Sequence, residues 1–156
     1  MTMKPEQGTD PGPGNEPVEL DQSRKDRMRE RLLASATGEM AVIRAPEQDW
    51  QDFLPGVQVK MLYQDAEQGI QTALWRMQPG ARIPPHPHGK DEECYVIEGM
   101  LVHRGTEYHA GDYMRAPAGS RHDSVSSPEG AVMLIRGDAI SWRQRLLLRT
   151  ALTLGR

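Results

Sequence analysis

The chain has 156 residues, 37% of them hydrophobic and 26% charged, with a net charge of −3. That length points to one domain with its own core, and the charge gives no reason to expect a nucleic-acid surface. One cysteine, Cys94, excludes an internal disulfide and suits a reducing compartment. Residues 1–20 carry no apolar leader and no run is long enough to span a bilayer, so we expect a soluble, cytoplasmic protein with no membrane partner.

Residues 1–22 are rich in Pro, Gly, Glu and Asp and hold almost nothing to bury, which predicts a disordered tail. A helix is expected over 23–38. Ser23 offers an N-cap with Asp26 three positions on, Met28, Leu32 and Leu33 fall on one face, and Gly38 can end it. Its Arg24, Lys25, Arg27, Arg29 and Arg31 read as a solvated face with internal ion pairs rather than a docking surface.

From about Ala41 the pattern changes to short strands, at 57–62, 71–77, 93–102, 113–116 and 131–136. Turn signals separate them, among them Pro55-Gly56, Pro79-Gly80, Gly99, Gly111 and Pro117 to Gly119. Many short strands without alternating helices predict an all-β fold, an antiparallel sandwich or barrel over 39–139. The extension 140–156 is a last strand or a helix, in which Trp142, Leu146, Leu147, Ala151 and Leu154 would share one face. No internal repeat is present, so one barrel is expected rather than two.

Two stretches carry the chemistry. One runs from Gly80 through Pro84-Pro85-His86-Pro87-His88 to Glu92 and Gly99; the other runs from Gly111 through Pro117 and Gly119 to His122. Side chains alternate along a strand, so His86 and His88 project to one side, about 7 Å apart. The prolines stiffen that segment and lower the entropy lost on ordering it. A turn at 89–91 returns Glu92 on the next strand, and His122 arrives from a third. Three imidazoles and a carboxylate suit one divalent transition metal, with zinc foremost and Fe(II), Mn or Ni as alternatives. Each ligand must be deprotonated, so binding should weaken in acid.

These stretches resemble the two motifs of the cupin superfamily. Gly80, His86, His88, Glu92 and Gly99 fit the first motif, and Gly111, Pro117, Gly119 and His122 fit the second; Ser126 stands where the family often has Asn. Trp50, Pro55-Gly56-Val57, Lys60, Thr72, Glu92-Glu93 and Gly111-Asp112-Tyr113 further resemble the cupin domain of ChrR-type anti-sigma factors, over 41–138. The resemblance implies a double-stranded β-helix, or jelly-roll barrel, binding zinc through His86, His88, Glu92 and His122. In that family the cupin is the sensory half, required for the response to singlet oxygen or organic peroxides, and it follows a zinc-binding helical domain that grips the sigma factor. The forty residues ahead of the barrel here hold no Cys and no His, so no direct sigma-factor contact is expected. Similar small cupins include dioxygenases that cleave β-diketones. Cupins commonly pair through outer sheet faces, and a homodimer is expected.

Further residues are candidates for the pocket. Cys94, two positions from Glu92, should point into the barrel, either as a small hydrophobe or as a redox-sensitive neighbour of the metal. Ser124 and Ser126 should share a face with His122 and could hydrogen-bond a ligand or a metal-bound water. His103 and His109 read as surface or turn residues, and Glu93 as outward-facing. Arg76, Tyr113 and Arg115 are candidates for the mouth. Three functions fit these residues: a sensory or regulatory ChrR-like cupin, which leads; a metal-dependent dioxygenase; and a non-catalytic module for a small ligand.

Overall fold

The computed structural model describes residues 48–140 without a break, and outside them Gln22, Lys25, Asp26, Arg29, Thr37, Gly38, Met40, residues 42–44, Leu148 and Thr150. The chain divides into two units, Met1–Val42 and Ile43–Arg156. In the first, Gln22, Lys25, Asp26, Arg29 and Thr37 are helical, and the Gln22 amide donates to Asp26 Oδ1 at 3.0 Å. Of the expected tail over 1–22, Gln22 is the one described residue and it is helical; the rest of the tail and the remainder of the 23–38 helix, Ser23 included, lie outside the described residues. In the second unit Leu148 and Thr150 are helical. Trp142, Leu146, Leu147, Ala151 and Leu154 lie outside the described residues. Among the described residues, no helix is long and apolar enough to cross a membrane.

Residues 48–140 of the second unit are all-β, as a jelly-roll barrel requires. Its strands are β1 (Gln51–Leu54), β2 (Val57–Asp65), β3 (Ile70–Met77), β4 (Ala81–Ile83), β5 (His86–Pro87) and β6 (Glu92–His103), then β7 (Thr106–His109), β8 (Tyr113–Ala116), β9 (Arg121–His122), β10 (Val125–Ser127) and β11 (Ala131–Asp138). The main path runs β1-β2-β3-β11-β6-β10-β4, with β7 and β8 also on β6 and a separate β5-β9 pair. Every pairing is antiparallel. The expected strands are present, several of them longer than their sequence pattern shows. The short β4, β5, β7, β9 and β10 have too few residues to show a period of two.

The long strand β6 joins the two halves of the barrel. Its first part, from Glu92 to Gly99, pairs with β11 and β8; its last part, from Met100 to His103, pairs with β7 and β10. The switch falls at Gly99, which has φ +75° and sits so close to β11 that a Cβ there would lie 2.0 Å from the Gly130 carbonyl oxygen. Only glycine fits both that backbone and that space. A register shift just before it, between Val132 and Met133 of β11, lets Ile97 bulge outward. The inward parity of β6 therefore changes, from Cys94 and Val96 before the bulge to Leu101 after it.

Alternation is regular in β3 and β11. Ala73, Trp75 and Met77 of β3 and Ala131, Met133 and Ile135 of β11 face inward beside Val57, Val59 and Leu101. Ile140 and Leu148 pack against this core. Burial of these side chains is the dominant favourable term, about 1.5–3 kcal/mol for each large one.

Candidate metal centre

The two histidine-bearing stretches are hydrogen-bonded to each other. Strand β5 pairs with β9 in the register His86↔His122, which sets the two rings edge to face with centroids 4.4 Å apart. The ladder continues past β5: His88 N donates to Ser120 O at 2.9 Å, and Gly119 N donates to His88 O at 2.7 Å. Because alternation puts His88 on the same side as His86, its ring stands 5.0 Å from that of His86 and 4.8 Å from that of His122. Glu92 enters at the start of β6, its oxygens 3.6 Å from His88 Nδ1 and 4.0 Å from His122 Nε2.

Two half-buried carboxylates tie the loops around this cluster. Asp91 accepts from Ala118 N at 2.8 Å and pairs with Arg115, joining the turn before Glu92 to the loop before His122. Those contacts hold its carboxyl below the usual range, the Ala118 N–H contributing most. Asp138, at the end of β11, accepts from Gly89 N at 2.6 Å and Lys90 N at 3.2 Å and so anchors the turn after His88.

His86, His88, Glu92 and His122 each offer a ligand atom, and these atoms all lie within 4.8 Å of one another. Ligands at ~2.0–2.2 Å from an ion stand at most about 4.4 Å apart, so sub-ångström shifts would close the set. The hydrogen bonding fits an ion as well. His86 Nδ1 donates to Pro84 O at 3.0 Å and His122 Nδ1 to Asp123 O at 2.6 Å. A carbonyl only accepts, so each Nδ1 carries the proton and each Nε2 keeps its lone pair, the usual outer support of a metal-bound imidazole. His88 is 3% exposed and its Nε2 has no partner among the described residues, a buried polar atom that an ion would satisfy.

Electrostatics point the same way. Burial brings His122 down to about 4, against the opposing bond to Asp123 and with help from His86, His88 and His103. Burial, and then His86, also lower His88, with Asp138 opposing. Both rings are therefore neutral at neutral pH, as ligation demands. Burial pushes Glu92 up to about 7, and the Asp138 carboxylate adds to the shift. A site that strains to hold a carboxylate charge is one that a cation would relieve.

The cluster forms part of the wall of two adjoining cavities, of about 210 and 310 Å³. His86 and Glu92 line both. His122, Cys94 and His103 face the smaller one, with Leu101, Val125 and Met133; His88, Gln71 and Asp138 face the larger, and Trp75 lines both. Cys94 thus points inward beside Glu92, as its spacing implies. Burial pushes its thiol up to about 12, with the Glu92 charge adding to it, which keeps it a protonated, weakly nucleophilic group.

Other expectations need correction. His103 is not a surface residue: after the bulge it follows Leu101 inward, and its ring lies 5.5 Å from that of His122. Ser124 and Ser126 do not share the face of His122. The ladder breaks at Asp123–Ser124 between β9 and β10, so Val125 follows His122 into the cavity, while Ser124 Oγ donates to Ile83 O at 3.2 Å. Arg76 lies over the Trp50 ring at 3.9 Å, and the Tyr113 hydroxyl donates to Glu93 Oε1 at 3.1 Å, both away from the cavities. Of the three candidates for the mouth, Arg115 lines the smaller of these two cavities and the other two line neither. His109 is exposed and Glu93 faces out toward Arg136, as expected.

The ChrR cupin-like domain family matches residues 38–140, most of the chain. The chain belongs to that family. Solved structures confirm the fold of this cupin. An RmlC-like cupin from Ralstonia eutropha JMP134 aligns with a TM-score of 0.60 at 18% identity, over 76% of this chain and 89% of that one. The Rhodobacter sphaeroides complex of SigE with the anti-sigma ChrR aligns at 0.53 and 21%, over 80% of this chain and 70% of that one. An acetylacetone dioxygenase from Acinetobacter johnsonii aligns at 0.52 and 14%, over 94% of this chain and 98% of that one. No relative is found among curated proteins.

Proposed function

We propose that this cupin binds one divalent transition metal, zinc foremost, through His86, His88, Glu92 and His122, and serves as a sensory or regulatory domain for oxidative stress. The observation that carries the metal is the convergence of three imidazoles, two with Nε2 left free by an Nδ1 bond to a carbonyl, on a half-buried carboxylate. Membership of the ChrR cupin-like family supports the sensory role. The bound ion would supply Lewis-acid polarisation or, as Fe(II), redox chemistry. The chain's own residues orient the ligands, keep two rings neutral and line an apolar cavity beside them. A second copy is the proposed partner: Tyr95, Ile97 and Tyr113 are exposed on the outer side of β6 and β8 and would gain cover in a homodimer. Light scattering should give twice the chain mass, and a monomer across a wide concentration range overturns this.

A second reading, a metal-dependent dioxygenase, is favoured by the cavity of about 210 Å³ that His86, Glu92 and His122 line. One set of measurements separates the two. Protein purified without added metal should carry about one ion per chain, and His86→Ala or His122→Ala should cost at least tenfold in affinity. Full occupancy in both variants would place the site elsewhere. A sensor changes its metal site once per exposure to peroxide. Sustained oxygen uptake by iron-loaded protein with a small β-diketone, abolished by Glu92→Ala, would replace the sensory reading with the catalytic one.

A further inference from the structure

His122 stands at a weak point of the fold. Strand β9 ends at His122 and β10 begins at Val125, so Asp123 and Ser124 belong to neither ladder. Yet Asp123 is the residue whose carbonyl accepts from His122 Nδ1, at 2.6 Å, which keeps the proton there and the Nε2 lone pair free. Its side chain is tied to another hairpin: Arg104 Nε donates to Asp123 Oδ2 at 2.6 Å. The two segments are neighbours because the end of β6 pairs with β10, His103 opposite Val125, and the His103 ring lies 5.5 Å from that of His122.

Arg104 is an uncommon choice for its place. Strands β6 and β7 pair His103 with Thr106, which leaves Arg104-Gly105 as a two-residue turn with φ of +52° and +76°. Among the described residues, Arg104 is the one non-glycine with a left-handed φ. A turn with both central φ values positive favours Asn-Gly or Asp-Gly, and a side chain that makes no local hydrogen bond is disfavoured there. Turn formation therefore does not account for Arg104, whereas the ion pair with Asp123 does. An exposed pair adds little to overall stability, so its effect falls on what it holds still, the stretch of chain at residue 123.

We propose that Arg104 is a positioning residue for His122: by fixing Asp123 from the β6–β7 turn, it holds the His122 ring in the tautomer and orientation that direct Nε2 at the cluster. The inference deepens the metal reading, and rests on it for what Nε2 binds.

The test compares the full chain with Arg104→Asn, Arg104→Lys and Asp123→Asn. Asparagine suits the turn but carries no charge, whereas lysine keeps the charge on the unfavourable backbone. Long-range ¹H–¹⁵N correlation of the metal-free protein at neutral pH reads the His122 tautomer, with His122→Gln assigning the ring. The parent should show one tautomer, protonated at Nδ1, and Arg104→Asn a mixture of two. Zinc affinity, by competition with a chromophoric chelator, should fall about two- to fivefold in Arg104→Asn and in Asp123→Asn, the worth of one exposed ion pair. The double variant should lose no more than either single one, and Arg104→Lys should stay close to the parent. The metal-free Arg104→Asn protein should melt at or above the parent, because its turn is the better one, and that separates positioning from a general loosening of the fold. A tautomer unmoved in Arg104→Asn overturns the proposal, as do additive losses in the double variant or a lysine variant no better than asparagine. Asp123→Asn reads the same tautomer should Arg104→Asn fail to fold. One zinc per chain with an unmoved tautomer overturns the role of Arg104 and leaves the metal site standing. A parent that takes up no zinc overturns the metal reading, and the tautomer of the metal-free protein still decides the role of Arg104.

Discussion

Gly137 and Glu92 lie face to face across β11 and β6, and the glycine leaves the space that the carboxylate side chain fills. A Cβ at position 137 would stand 3.2 Å from Glu92 Cγ, 3.3 Å from its Cβ and 3.4 Å from its Cα. Gly137 has no left-handed backbone to accommodate, so room for its neighbour is what the position supplies. Gly137→Val should push Glu92 off the cluster and weaken metal binding by roughly 10- to 100-fold, the usual cost of losing a supporting group. Competition with a chromophoric chelator measures it. Unchanged affinity would mean that Glu92 tolerates the shift or does not ligate.

Glu92 also sets the pH dependence. Burial raises its carboxyl to about 7, while His122 is lowered to about 4, so Glu92 takes up a proton first as pH falls. Metal affinity should decline by about tenfold per pH unit just below 7, the slope for one competing proton. Glu92→Gln should flatten that slope and lower the affinity at neutral pH. The same shift acts on metal-free stability with the opposite sense. A group whose folded pKa is raised favours the folded state fully below its unfolded value, near 4.5, and loses that contribution as pH rises through 7. Metal-free Glu92→Gln should therefore melt higher than the parent at pH 8, with the gap closing by pH 4.5. Calorimetry at the two pH values checks the sign.

Gly99 is where β6 passes from one half of the barrel to the other. Gly99→Ala would place a methyl 2.0 Å from the Gly130 carbonyl oxygen on a backbone at φ +75°. Strain at such a position costs about 1–3 kcal/mol from the backbone alone, and the clash adds to it. Urea unfolding should show a loss of at least about 3 kcal/mol, or no folded protein. A variant as stable as the parent would mean that the junction is loose.

Cys94 should be inert in the folded, metal-free protein. Its thiol, pushed up to about 12, has almost no thiolate at pH 8. Iodoacetamide labelling followed by mass spectrometry should run at least about tenfold slower in the native protein than in urea. Equal rates would return Cys94 to consideration as an oxidant-sensitive group. Slow labelling instead directs any response to peroxide toward the metal.

Much of the centre was legible before folding was considered. His86 and His88 are two residues apart, so strand alternation alone puts them on one side. The glycines and prolines that bring Glu92 and His122 back sit at turn spacing. These are local signals, and the four donors meet where they predict. The all-β fold follows from the same periodicity. The rest depended on which strands pair and where the pairing slips. The bulge before Gly99 turns His103 inward, and the break at Asp123–Ser124 replaces the serines with Val125 in the cavity. A one-residue slip reverses every side chain beyond it, and nothing in a single strand records where its partner forces that slip. The neutral rings, the raised Glu92 and the high thiol of Cys94 likewise arise from burial by distant segments. The residues supplied the donors, and packing of the strands around them decided how each is charged, aimed and enclosed.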